Sequence, residues 1–446
     1  MLRKVVFSIV PTLVLLVALE GMLRIFPDTH HQDPVARVSG LKMGDAYDTP
    51  YVVLDLQGEK WVPHRDEMSR YTELPVQITP GRLRAAAFGG STMATARPNG
   101  PAWQFAALLS LGTAGRSDFI NLGANGYGTS RIRGAVAEMS QHKLAVVFLY
   151  TGHNEYVEHR WVLGSMTMWQ HRAGQLLRNS WHTYSWLQSI KGSLHEDEFE
   201  QMKPVQERHL LQAEESMLLS RLRQNLEAIA ESISRGGAHA VWVLPASNLS
   251  ARPEGSSSYR SLSQERTDQL RKQTRAALGM LERGAFSAAA RIADQCLRAA
   301  PDFAMAWYIK GMASRHGGDQ ADALSSLRRA RDFDRVPRRA TTRQRGVIAE
   351  VARRHGFALV DAEQILLDSD PGGYIRGDYS PDRMHLKSDA YRLVAMSAYG
   401  ALRSKVKGLS PLKEILPKMP GVGESLDPVL GPRQRTVFVP EFERHH

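Results

Sequence analysis

Cysteine is almost missing from this chain. Cys296 stands alone among 446 residues, which excludes an internal disulfide and leaves stability to a core that a chain of this length can bury. It lies among alanines and leucines on a helical pattern and reads as a small core side chain. Two processing signals are missing as well. Ala18-Leu19-Glu20 offers no small-x-small cleavage site, and no lipobox cysteine follows the apolar N-terminal stretch. That stretch runs from Val5 to Ala18 behind Met1-Leu2-Arg3-Lys4 and resumes past Glu20 as Gly21-Met22-Leu23-Arg24-Ile25-Phe26. Its length falls between a signal-peptide core and a full span, so residues 1–27 are expected to form an uncleaved anchor, with a cleaved signal and a soluble periplasmic protein as the alternative. Arg3 and Lys4 stay inside, which leaves the body facing the periplasm from the inner membrane and Glu20 near the outer interface.

Acidic excess is also absent. The formal charge is +11, yet no nucleic-acid module accompanies it and an exported protein rarely meets nucleic acid, so that partner class is set aside. The excess gathers in Arg328, Arg329, Arg331, Arg335, Arg338, Arg339, Arg343 and Arg345 and in the proline-rich tail after Lys405. This fits a basic face toward anionic lipid or an acidic polysaccharide, or a plain solvated surface.

What the chain does have is four short segments in order: Gly89-Gly90-Ser91-Thr92, Asn121 to Gly126, Gly152-His153-Asn154-Glu155, and Asp382-Arg383-Met384-His385. The first three each follow a strand-like apolar run, namely Leu83 to Phe88, Phe119 to Leu122 and Leu144 to Tyr150. Three polar loops would therefore gather at the carboxyl edge of a parallel sheet, where such sheets bind ligands. Ser91 supplies a nucleophile, with a following helix near Trp103 to Leu111 placed to aim amides at developing negative charge. Asn154 would present a side-chain N–H to an oxyanion; its alternative is a helix cap shared with Glu155. Asp382 and His385, three apart, would meet within one helical turn, the carboxylate reaching Nδ1 and leaving Nε2 for the serine. A Gly/Ser turn, a cap and a solvated Asp/His pair are ordinary features when met singly. In this order they form the equipment of acyl transfer.

These residues resemble the SGNH hydrolase family, the GDSL-like esterases. Gly90-Ser91, Asn121-Leu122-Gly123-Ala124-Asn125-Gly126, Gly152-x-Asn154-Glu155 and Asp382-x-x-His385 match its blocks in order and spacing. The resemblance implies an α/β fold, a flavodoxin-like three-layer α/β/α core, with Ser91, His385 and Asp382 as catalytic triad. It further implies an oxyanion hole from the amides of Ser91 and Gly126 and the Asn154 side chain, with no metal and no cofactor. Two positions depart from the family pattern: Gly-Gly-Ser-Thr stands where Gly-Asp-Ser is expected, and Glu155 where Asp is commoner. Both leave the nucleophile, the amides and the Asn in place, so they bear on substrate range.

The core is interrupted twice. Residues 28–80 read as a membrane-proximal linker and approach to the core, 81–160 as its first part, and 161–235 as a helical insertion whose Trp161, Trp169, Trp181 and Trp186 form either an apolar or sugar-stacking face or plain core. Residues 236–265 return to a core strand and loop. Residues 266–340 hold an internal repeat: Gly284-Ala285-Phe286 with Ala289, and Gly318-Asp319-Gln320 with Ala323, are offset by 34 residues, the period of a tetratricopeptide unit, which this insertion resembles. It is either a protein-docking groove or a structural border to the site. Residues 341–405 complete the core, and 406–446 form a basic, proline-rich tail.

The reading is a membrane-anchored serine esterase facing the periplasm, acting on an ester-bearing substrate such as acetylated envelope or exported polysaccharide. An O-acyltransferase using the same acyl-enzyme, and an assembly protein acting through the repeat, are its rivals.

Overall fold

Strands buried on both faces need near-continuous apolar runs, and five such runs build the central sheet of the computed structural model. The structure describes residues 51–55, 57–63, 72–95, 98–158, 209–258, 262–370, 372 and 377–431. The expected anchor, the tryptophans between 161 and 186 and the end of the tail lie outside them. Among the described residues no helix is long and apolar enough to cross a membrane.

Three short strands come first: β1 (Val52–Leu54), β2 (Lys60–Pro63) and β3 (Leu74–Pro75), paired antiparallel in that order. They are followed by β4 (Leu83–Gly89), α1 (Ser91–Ala94), α2 (Pro101–Gly112), β5 (Ser117–Gly123), α3 (Thr129–Met139) and β6 (Val146–Tyr150). Then come α4 (Gln212–Arg235), β7 (His239–Leu244) and four successive helices, α5 (Gln264–Glu282), α6 (Phe286–Ala299), α7 (Ala304–His316) and α8 (Gln320–Asp332). The chain returns through α9 (Thr342–Arg354), β8 (Ala358–Asp361), α10 (Ala362–Ser369) and α11 (Ser388–Arg403), with two short helices, α12 (Leu412–Ile415) and α13 (Asp427–Leu430), beyond.

The main sheet is parallel throughout and ordered β5-β4-β6-β7-β8. Alternation along each strand sorts side chains between two apolar layers. Ala85, Ala87, Phe148, Tyr150, Val241 and Val243 face one layer, which takes in α2 and α11. Ala86, Phe88, Val147, Leu149 and Trp242 face the other, built with α3, α4 and α9. Burying a side chain such as Phe148 contributes roughly 1.5–3 kcal/mol, so the two layers supply most of the driving force.

Three features differ from the sequence reading. Residues 51–75 are not merely a linker: Tyr51, Val52 and Leu74 are buried in the second layer, and Glu138 on α3 accepts from the amides of Tyr51 and Val52 at 2.9 and 3.0 Å. The last third of the segment read as the first insertion is α4, which packs on α3 and α9 as a layer helix of the sheet. Its leucines and isoleucines at 218, 222, 226, 229 and 233 hold the helical period that requires it.

The arginine-rich stretch differs most. Arg331 and Arg339 are 1% and 2% exposed, and Arg335 and Arg345 are also buried. Arg331, Arg328 and Arg345 converge on the buried Glu363 of α10, at 2.8, 2.6 and 3.8 Å, and Arg345 makes two further bonds to Asp361 at 2.7 and 2.8 Å. Much of the basic excess is thus an internal ion network that fastens α8 and α9 to α10. Burial alone would raise the Glu363 carboxyl, but Arg331, Arg345 and Arg328 outweigh it and hold it at about 2.

The four helices α5 to α8 carry the 34-residue offset into their backbone. Ala285 N donates to Met280 O and Asp319 N to Ser314 O, while Gly284 and Gly318 both turn at positive φ, +79° and +86°. Ala277, Ala289, Ile309, Ala323 and Leu327 join the first apolar layer. Cys296 is buried on α6.

Candidate active site

The loop after β4 is shaped by its glycines. A Cβ on Gly89 would meet the Tyr150 carbonyl oxygen at 2.3 Å, and one on Gly90 would meet Asn154 Nδ2 at 2.5 Å and the Tyr127 carbonyl oxygen at 2.9 Å. Only glycine lets β4 run this close to β6 and then turn. Ser91 is consequently the first residue of α1, directly after the strand. The helix that follows the serine at once is this single turn; α2, expected to serve that role, begins at Pro101. Asn121 is buried in β5, and its Nδ2 donates to Met93 O at 3.0 Å, which ties the serine-bearing turn to the neighbouring strand.

Asp382 and His385 do not share a helical turn. They lie in the loop before α11, Asp382 in a bend and His385 just past it. What brings them together is the carboxylate itself: Oδ1 accepts from the amides of Met384 and His385, both at 2.8 Å, and folds the segment into an Asx-type turn. Oδ2 then lies 2.6 Å from His385 Nδ1. His385 Nε2 lies 2.8 Å from Ser91 Oγ, across 294 residues of sequence. With the ring proton on Nδ1 facing Asp382, Nε2 accepts from the serine hydroxyl. Burial alone would raise the Asp382 carboxyl, but the two amides and the His385 ring outweigh it and hold the group below the usual carboxylate range. The His385 side chain is 34% exposed and that of Asp382 51%.

Asn154 is 8% exposed and donates from Nδ2 to Tyr127 O at 2.9 Å. The amide carries two protons, so one fixes its orientation and the other is left for a ligand. Gly126 precedes Tyr127 in the same loop, its carbonyl taken by the Arg131 guanidinium, which also stacks over the Tyr127 ring at 4.2 Å. Glu155 turned out to cap a helix, though not its own: its carboxylate accepts from Thr129 N at 3.0 Å and Thr129 Oγ1 at 2.7 Å, at the first residue of α3. It stiffens the turn that carries Tyr127.

The sequence reading passed over His153, Tyr127 and the loop after β7. His153 is buried beside Asn154, and its Nδ1 accepts from Ala340 N at 3.2 Å. Burial, together with His385, Arg331 and Arg345, lowers it to about 3, so it is a neutral ring at physiological pH. The loop after β7 contributes Asn248, which contacts both Asp382 and Arg383. A polar run at a strand's carboxyl end, Pro245-Ala246-Ser247-Asn248, is the signal that could have drawn attention to it.

Ser91, His385, Asp382 and Asn154 therefore meet where β4 and β6 adjoin, at the carboxyl edge where the order of strands reverses. Among the described residues no group of three or more His, Cys, Asp or Glu side chains is placed to hold a metal ion. A hydroxyl hydrogen-bonded to an imidazole, itself oriented by a carboxylate, can deliver a nucleophilic oxygen and shuttle its proton. A scan against protein-family models and a search of the curated proteins find no match for this chain.

Proposed function

We propose that the chain is a serine esterase of the SGNH type. The observation that carries this is the unbroken sequence of contacts from Asp382 through His385 to Ser91, at 2.6 and 2.8 Å, beside the free proton of Asn154. The strand order is that of flavodoxin-like sheets, whose ligands lie at this crossing point, and it supports the SGNH reading of the fold.

Ser91 Oγ attacks the ester carbonyl carbon as its proton passes to His385 Nε2. The carbonyl π pair becomes an oxyanion held by Asn154 and by the amides of Ser91 and Gly126. Collapse of the tetrahedral adduct breaks the ester C–O bond, and His385 returns the proton to the departing alcohol. Water repeats the sequence on the acyl-enzyme, giving the acid and free Ser91. Asp382 stays ionised throughout and stabilises the imidazolium. The partial exposure of His385 and Asp382 supports access of water to the acyl-enzyme, and so hydrolysis over O-acyl transfer. Acetyl groups on envelope or exported polysaccharide are the proposed substrate, met from a periplasm-facing position on an inner-membrane anchor. Helices α5 to α8 are proposed as a tetratricopeptide-like insertion open to a protein partner.

The test is a fluorophosphonate probe on the purified protein. Labelling that maps to Ser91, and is lost in Ser91→Ala and His385→Ala, is the expected result. Wild-type turnover of an aryl acetate by Ser91→Ala would sink the assignment.

A further inference from the structure

Asp382 is exposed and His385 half-buried, and both lie in a loop with no helix or strand of its own, yet His385 Nε2 sits 2.8 Å from Ser91 Oγ. From within, Ser380 Oγ bonds the carbonyls of Asp382 and His385 at 3.0 and 2.6 Å, beside the carboxylate's own turn; further contacts hold the loop from outside. The contacts lead to the loop after β7, and from there to the residues that leave α8.

Asn248 grips the acid–histidine turn twice. Its Nδ2 donates to Asp382 O at 2.9 Å and its backbone N to Arg383 O at 3.0 Å, while its Oδ1 accepts from Ser250 N at 2.9 Å. Arg339 holds Asn248 from below. This buried guanidinium donates from Nη1 to Asn248 O at 2.9 Å and Ala251 O at 3.0 Å, and lies 3.6 Å from Asp334. Asp334 in turn accepts from the amides of Glu254 and Gly255 at 3.0 and 2.8 Å. Glu254 completes the frame, pairing with Arg383 inside the turn at 2.9 Å and with Arg338 at 3.1 Å. The neighbouring Ala340 reaches the other half of the site by donating to His153, next to Asn154.

We propose that Asn248 is the positioning residue of the Asp382–His385 pair, and that Arg339, on the segment leaving the helical insertion, sets Asn248. Asn248 acts through the backbone of Asp382, whose two carboxylate oxygens must face two amides and one imidazole at once. A turn free to rotate by a fraction of an ångström loses the alignment of Nδ1 and with it the second alignment at Ser91. The helical insertion is thereby wired to the chemistry through one short segment, residues 334–340.

This inference rests on the esterase reading for its kinetics but not for its geometry, and the experiment separates the two. Asn248→Ala is expected to lower kcat for an aryl acetate between about tenfold and a hundredfold with KM nearly unchanged and the melting temperature kept. In a Ser91→Ala background, the downfield proton resonance of the His385–Asp382 bond in NMR should broaden or move upfield on adding Asn248→Ala. Asn248→Asp, which keeps the shape and the Ser250 contact but turns an acceptor toward Asp382 O, should do the same and serves if the alanine variant folds poorly. Arg339→Lys should lower kcat in the same direction, and the double variant should fall short of the product of the two effects. Wild-type kcat together with an unaltered resonance overturns the role of Asn248, and strictly multiplicative effects overturn the path from Arg339. A shifted resonance in a protein that the fluorophosphonate never labels upholds the positioning role while refuting the esterase.

Discussion

Replacing Asn154 by alanine isolates one term of the chemistry. In the structure Nδ2 is held by the Tyr127 carbonyl at 2.9 Å and packed so closely against the turn before Ser91 that a Cβ on Gly90 would lie 2.5 Å away. One proton is committed to Tyr127 O, and on the proposed mechanism the other serves the oxyanion. A single preorganised donor of this kind is worth about 2.7–4 kcal/mol in the transition state, or about 10²–10³ in kcat. The neutral ester carbonyl draws little on it, so KM should move by no more than a few fold. Truncation also strips the Tyr127 carbonyl of its donor, which costs about 1–3 kcal/mol of stability, and urea unfolding of the variant must therefore be recorded beside its kinetics. Initial rates with a short-chain aryl ester, at protein concentrations where the variant is fully folded, give both constants. A loss confined to KM would make Asn154 a ground-state binding residue and refute the oxyanion argument. A fall of less than about fivefold in kcat would do so too.

Gly90→Ala should abolish aryl-ester turnover while the far-ultraviolet spectrum is kept, since its methyl would enter the space of Asn154 Nδ2 and Tyr127 O; retained turnover would show that the turn is looser than described. Glu363→Gln removes the anion shared by three arginines and should cost about 3–5 kcal/mol at pH 7, read by urea unfolding. Because the folded Glu363 carboxyl lies at about 2 against an ordinary 4.5, its contribution, on the order of 3 kcal/mol, is full above pH 4.5 and is lost as pH falls toward 2. The wild type should weaken across that window and the variant much less; parallel curves would refute the assignment. A phosphatase active only after export, fused after Arg403, should be active in a membrane fraction that resists carbonate extraction, and activity of a cytoplasmic reporter alone would end the envelope reading.

The sheet was legible because most of its strands, β4, β6 and β7 above all, are apolar runs closed by a polar loop, a signal that needs no distant partner. The four residues gathered at its edge were legible for the same reason: each follows a strand or sits in a short spaced motif. Features decided by distant contacts were not. The strands between 51 and 75 are two to four residues long, and the first of them is tied to Glu138, some 86 residues away. The arginines after 328 look like a solvated face until Glu363, Asp361 and Asp334 are brought in from other elements. The meeting of Asp382 with His385 was expected from helical spacing and arises from an Asx turn, two geometries that share a separation of three. Asn248 carries no spaced motif, because the groups its side chain meets are backbone atoms of Asp382 and Ser250, which leave no mark on residue type.

The two bonds that link Asp382, His385 and Ser91 differ in the span of chain they close. One spans three residues and can form as soon as that turn exists; the other spans 294 and waits for β8 and α11. During synthesis the serine and its glycine turn emerge early, along with β4, β5 and β6, and they remain an inert alcohol on a partial sheet. The serine hydroxyl meets its imidazole only after the 294 residues between them have been made and folded. On the proposed esterase reading, a chain stalled or truncated before His385 carries no activity to misdirect, and turnover would begin only once this long-range contact has closed.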